Sequence, residues 1–198
     1  MSRRVVILLF DDVEVLDFAG PFEVFSVAGR RAGHGDPVFL VSTVAARSGP
    51  IVARNGLTVV PHFTIADCPP AEILVVPGGY GSRALLADRE LLDWVRRRDA
   101  EAKLTLSVCT GALILGAAGL LDGLEATTHH GALDELRRWA PTATIRPDAR
   151  LVDNGRVILS GGISAGIDMS LHVVGRLLGK DQAVQTARYM EYDWRPAG

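Results

Sequence analysis

The run Val5-Val6-Ile7-Leu8-Leu9-Phe10 is apolar at six consecutive positions and stops abruptly at Asp11-Asp12. A strand with one wet face alternates apolar and polar residues, so an unbroken run predicts a strand covered on both faces. Such strands belong to parallel sheets, whose crossover connections lay helices over both sides. A shorter run of the same kind recurs at Ile73–Val76, ended by Pro77-Gly78-Gly79, and Leu104–Val108 is the next strand candidate. Helical spacing fills the intervals, over residues 15–29 (with Pro21 expected in a first turn), Ser82–Arg98 and Gly111–Leu121. It returns at Leu133–Trp139, in a long helix that follows Gly161-Gly162 and runs through Leu178, and over Asp181–Tyr192. Val38–Ser42, Leu57–Val60 and Ala126–Thr128 are further strand candidates, and Asn154-Gly155 predicts a two-residue type I′ turn in a hairpin over 150–160. Alternating strands and helices imply an α/β sandwich around a largely parallel sheet. With no linker, repeat or low-complexity segment, residues 1–198 are expected to form one domain.

Composition narrows the function classes. The chain is 48% hydrophobic and carries a formal net charge of −2, so neither nucleic acid nor an anionic membrane is an expected partner. The apolar run at the N-terminus is too short for a signal h-region, and no stretch reaches the roughly 20 apolar residues of a membrane span. A soluble, cytoplasmic protein is expected. Two cysteines, Cys68 and Cys109, do not make a disulfide framework, and the five histidines show no ligand spacing with them. No metal site is expected.

In open α/β sheets, ligands bind at the carboxyl ends of the strands. Three of the turns leaving those ends carry useful chemistry. Cys109 stands between a strand and a helix, where unpaired backbone N–H groups and the helix dipole lower a thiol pKa. The alternative is an inert core cysteine. The small residues Thr110, Gly111 and Ala112 permit a tight elbow and favour a nucleophile. In the Pro77–Gly81 turn, Gly79 can pair with the Thr110 amide as an oxyanion hole, and the bland reading is an ordinary loop. Asp11, Asp12 and Glu14 read as solvated. Asp17, between Leu16 and Phe18, is either a helix N-cap or a buried, protonated carboxyl able to move a proton. The pattern does not separate the two. His129, at the end of the Ala126–Thr128 segment, either orients or deprotonates the thiol or fills a polar rim, and alternation does not say whether it or His130 points inward.

The segments VVILLFDDVEVLDFAGPFEVF, ILVVPGGYG, SVCTGALILGAAGLLDGLEATTHH and GGISAGIDMSLHVV occur in this order. Together they resemble the ThiJ/PfpI superfamily, whose class I glutamine amidotransferase-like domain is a flavodoxin-like three-layer sandwich with a nucleophile elbow. Cys-Thr-Gly at the elbow and Leu-Asp-Phe after the first strand are most similar to the isonitrile hydratase group, and also to the sensor domains of AraC-type regulators. The resemblance implies a cofactor-independent lyase that hydrates an isonitrile to an N-formamide. Cys109 would be the nucleophile and Asp17 the general acid and base, with Thr110, Gly79 and His129 in support. A homodimer and a small-molecule substrate are implied by the same likeness.

Departures from relatives sharpen that expectation. The PfpI proteases carry His after the elbow Cys, where Thr110 stands, and the deglycase members use Glu where Asp17 stands. The AraC-type regulators continue into a helix-turn-helix domain, and the chain ending at Gly198 is expected to lack one. Competing expectations are a non-catalytic sensor whose low-pKa Cys109 is oxidised, and an amidotransferase-like acyl transfer. The latter lacks a clear acidic partner for the histidine, since Asp134 and Glu135 read as helix surface.

Overall fold

The computed structural model describes residues 2–29 and 36–195. The first half of the chain forms β1 (Arg3–Leu9), α1 (Val15–Val27), β2 (Phe39–Ala45), β3 (Ile51–Val52), β4 (Thr58–Val59), β5 (Phe63–Thr64) and β6 (Ile73–Val76). It continues through α2 (Ser82–Leu85), α3 (Arg89–Glu101), β7 (Leu104–Val108), α4 (Gly111–Ala117), β8 (Glu125–Ala126) and α5 (Leu133–Trp139). The last elements are β9 (Thr144–Ile145), β10 (Leu151–Asp153), β11 (Val157–Ser160), α6 (Ala165–Leu178) and α7 (Lys180–Tyr189).

Seven strands make the central sheet in the order β10-β11-β7-β6-β1-β2-β5. Every pairing in it is parallel except β10 with β11. β1 lies inside the sheet between β2 and β6, which is why its sequence is apolar without alternation. Its residues Val5–Leu9 are all buried, each worth about 1.5–3 kcal/mol of transfer from water. Helices α1, α6 and α7 pack together on one face, and α2, α3, α4 and α5 form a second group. The fold is thus the expected mostly parallel α/β sandwich. Among the described residues no helix is long and apolar enough to cross a membrane.

Several local expectations are corrected. The segment 82–98 is two helices, because Asp88 caps a new start at Arg89 by accepting a bond from the Leu91 N–H at 3.1 Å. Pro21 lies inside α1 rather than in its first turn, so the Asp17 carbonyl loses its usual helical donor. The neighbouring Gly20 lets α1 approach α6: a Cβ there would stand 2.9 Å from Ile167 Cγ1. Residues 126–128 do not join the central sheet, since β8 pairs only with β9. In the hairpin, Asn154 N–H donates to Val157 O, so Gly155 and Arg156 occupy the turn and only Gly155 has positive φ (84°). That is not type I′, which needs two such residues. β3 and β5 had no sequence signal, being two residues long.

The carboxyl ends of β1, β6, β7 and β11 lie side by side at one edge of the sheet. That edge gathers the first turn of α1, with Asp17, and the loops holding Gly79, Cys109 and Ile163.

Candidate active site

The strand β7 ends at Val108, and α4 begins at Gly111. Two residues must reverse the chain between them. Cys109 does so in the left-handed region, at φ 55°, a conformation that costs a non-glycine residue about 1–3 kcal/mol. The surroundings hold it there. Its N–H is shared between Ser160 O (3.2 Å) and Gly161 O (3.1 Å), and its carbonyl accepts from Thr128 Oγ1 at 2.8 Å. Gly111 allows the elbow to press on β6, since a Cβ there would stand 2.0 Å from Val76 O.

Asp17 lies in the first turn of α1 and is fully buried. Glu14, not Asp17, occupies the N-cap position, so the capping alternative does not hold. One carboxyl oxygen, Oδ2, accepts from the Gly78 N–H at 3.0 Å. The other, Oδ1, has no hydrogen-bond partner. Burial raises the Asp17 pKa from 3.8 to about 7, against the lowering effects of the Gly78 N–H and the Cys109 thiol. The thiol therefore lies near enough to influence the carboxyl, although no hydrogen bond of ordinary geometry joins them.

Cys109 itself is 5% exposed, and its thiol is pushed up to about 12. Burial is the largest cause, followed by the charge of Asp17. This corrects the expectation of a low-pKa thiolate at a helix start. α4 has only seven residues, and the N–H groups of Thr110 and Ile163, which do favour the thiolate, are outweighed by burial beside a carboxyl.

Thr110 is committed to the loop after β6. Its hydroxyl donates to Gly79 O and accepts from the Gly79 N–H, both at 3.0 Å, and the buried Ser82 hydroxyl lies 3.1 Å away. Gly79, at φ 126°, thus gives its N–H to Thr110 rather than to the space over the sulfur. The donors facing the sulfur are the amides of Thr110 and Ile163. Ile163 carried no sequence signal: its φ of 38° is unusual for a β-branched residue, and the glycines before it read only as the lead into a helix.

A cavity of about 290 Å³ lies at this edge, lined by Cys109, Thr110, Gly79, His129 and Ile163 among others. Asp17 is not in its wall. His129, not His130, lines it, brought there by the Thr128 hydroxyl bond rather than by a central strand. Its Nδ1 accepts from Gly131 N–H at 3.1 Å, which leaves Nε2 as the protonated nitrogen of the neutral ring. Burial, and then His130 and Arg83, lower its pKa and favour that neutral form. No carboxylate bonds the ring among the described residues, so there is no Cys-His-acid triad. Glu135, expected on a helix surface, is partly buried and pairs with Arg83 (2.6 Å). At the cavity wall the Arg54 and Arg83 guanidinium groups each lie 5.5 Å from the centre of the Tyr80 ring. Glu14 also lines the cavity and is less solvated than its sequence neighbours suggested.

The arrangement suits addition of the thiol to a small electrophile, with proton exchange between Asp17 and the sulfur. No cluster of residues suited to a metal ion occurs among the described residues.

Known proteins share this architecture. The DJ-1/PfpI family profile matches residues 3–176. Isonitrile hydratase from Pseudomonas putida is 38% identical over 193 residues, covering 97% of this chain and 79% of that protein. The HTH-type transcriptional regulator CdhR from Pseudomonas aeruginosa is 28% identical over 187 residues, and the match takes in 54% of its length. A crystal structure of a ThiJ/PfpI family protein from Pseudomonas syringae superposes with a TM-score of 0.86 at 32% identity, over all of this chain and 78% of that one. On the profile match and the similarity to the hydratase, this chain belongs to the DJ-1/PfpI family.

Proposed function

We propose that this protein is a cofactor-independent cysteine hydratase that converts isonitriles to N-formamides, with Cys109 as nucleophile and Asp17 as the proton carrier. The observation that carries the reading is the buried Asp17 carboxyl, with one oxygen unpartnered, beside a thiol on a strained elbow. An isonitrile carbon accepts a proton and a nucleophile at the same atom. A neutral thiol paired with a carboxyl of pKa about 7 can deliver both.

In the first step the sulfur bonds to the terminal carbon of R–N≡C. The thiol proton passes to the Asp17 carboxylate and from it to that carbon, leaving the thioimidate R–N=CH–S–Cys109. Water from the cavity then adds to the same carbon. Asp17 takes one proton from it and passes it to the nitrogen, giving R–NH–CH(OH)–S–Cys109 with the Asp17 carboxylate restored. Collapse breaks the C–S bond, returns a proton to the sulfur and releases R–NH–CHO. The net change is the addition of one water. The Thr110 and Ile163 amides are suited to stabilising the sulfur as it leaves, and His129 Nε2–H to orienting the water.

The similarity to the hydratase supports this reading. The sensor reading is disfavoured by the thiol itself, because peroxide attacks the thiolate and burial beside the Asp17 carboxyl pushes this thiol toward its protonated form. Incubation with benzyl isonitrile in ¹⁸O-water tests the proposal. Many turnovers of N-benzylformamide carrying one ¹⁸O are expected. Absence of formamide above the protein-free control overturns it.

A further inference from the structure

A second cavity, of about 390 Å³, shares no lining residue with the one at Cys109. Its volume lies within the roughly 300–1,000 Å³ of small-molecule sites. One wall is α6, which presents Asp168, His172 and Arg176 one turn apart. Arg150, Lys180, Trp194 and Arg195 also line the cavity.

The charged groups here are mostly built into pairs. Arg150 bridges to Asp168, and Arg176 holds both oxygens of Asp153 at 2.9 Å. His172 Nε2 meets the same Asp153 carboxylate at 2.7 Å. Tyr192 ties residues 192–195 to α6 by donating its hydroxyl to Asp168 at 3.2 Å, and Trp194 packs against the core. Lys180 makes no hydrogen bond or ion pair among the described residues. Arg195, which also lines the cavity, pairs with Asp193 at 3.1 Å, so among the described residues four cations against three carboxylates leave one uncompensated positive charge, at Lys180.

We propose that this cavity is a second ligand site, separate from Cys109, for a monoanion with a flat apolar body: an aryl carboxylate. The ring stacks on Trp194, and the carboxylate pairs with Lys180 without displacing the internal ion pairs. A dianion would exceed the single free charge, and a neutral arene would leave it unanswered.

Calorimetric titration with 2-naphthoate, alongside the neutral 2-naphthalenemethanol, tests this. Saturable binding at one per chain is expected, at least tenfold tighter than for the alcohol. It should weaken at least tenfold in Lys180→Glu, be lost in Trp194→Ala, and be unchanged in Cys109→Ser. Circular dichroism confirms that each variant folds, and the Trp194 indole N–H resonance, identified by its loss in Trp194→Phe, should shift on binding in the unmodified protein. No saturable binding overturns the proposal. So does equal affinity for the alcohol, an undiminished affinity in Lys180→Glu, or loss of binding in Cys109→Ser. None of these readouts depends on isonitrile turnover.

Discussion

Asp17 and Cys109 share a buried compartment in which both are pushed toward their protonated forms. The carboxyl rises to about 7 because it is buried, and the thiol rises to about 12 because it is buried beside that carboxyl. One proton held between them is the state that suits addition to an isonitrile. Losing Asp17 should therefore loosen the thiol proton rather than tighten it.

That expectation is directly measurable. Asp17→Asn removes the negative charge that raises the thiol pKa, so the Cys109 pKa should fall. Alkylation of Cys109 by iodoacetamide, followed against pH by mass spectrometry, should reach half its maximum at lower pH in Asp17→Asn than in the unmodified protein. An unchanged or higher midpoint would mean the two groups are not coupled.

The same carboxyl ties stability to pH. Its folded pKa is raised above the unfolded 3.8, so the native state binds more protons between about pH 4 and 7, and stability falls as pH rises through that window. The loss amounts to at most about 4 kcal/mol once Asp17 is ionised. Asp17→Asn should remove this fall and be the more stable protein at pH 8, as read from urea midpoints at pH 5 and pH 8.

Thr110 is expected to act through the loop. Thr110→Val deprives the buried Gly79 N–H of its acceptor, at about 1–3 kcal/mol of stability, while the Ser82 hydroxyl keeps Gly79 O at 2.8 Å, whereas Thr110→Ser restores the hydroxyl. Thermal melts of the two variants check this. Equal melting temperatures would show that the clasp contributes nothing.

His129→Asn should reduce kcat for isonitrile hydration by less than tenfold. The ring has no carboxylate partner, and its Nδ1 is occupied by the Gly131 N–H. A loss of a thousandfold would instead indicate a triad-like base.

The sheet was legible because burial on both faces writes itself into β1 and β6 as unbroken apolar runs, although β7 carries Thr105 and Ser107, both fully buried. Elements shorter than a pattern period, such as β3 and β5, leave no such trace. The tight turn at Cys109 was legible from small residues between a strand and a helix. The thiol's protonation was not, because it depends on how deeply Cys109 sits and on Asp17, some ninety residues earlier in the chain. The choice between capping and burial for Asp17 needed the tertiary structure for the same reason. Ile163 was invisible because its amide contributes through the backbone, and a backbone donor has no residue type. His129 was anticipated at the right edge for the wrong reason: a hydroxyl bond from Thr128, rather than a central strand, carries it there.

The most direct measurement compares formamide production from one isonitrile by the unmodified protein, Cys109→Ser and Asp17→Asn, each verified as folded. The expected result is sustained turnover by the unmodified protein, none by Cys109→Ser, and a loss of about 10²-fold or more in Asp17→Asn. No turnover by the unmodified protein, or turnover undiminished in either variant, would contradict a hydratase built on this pair.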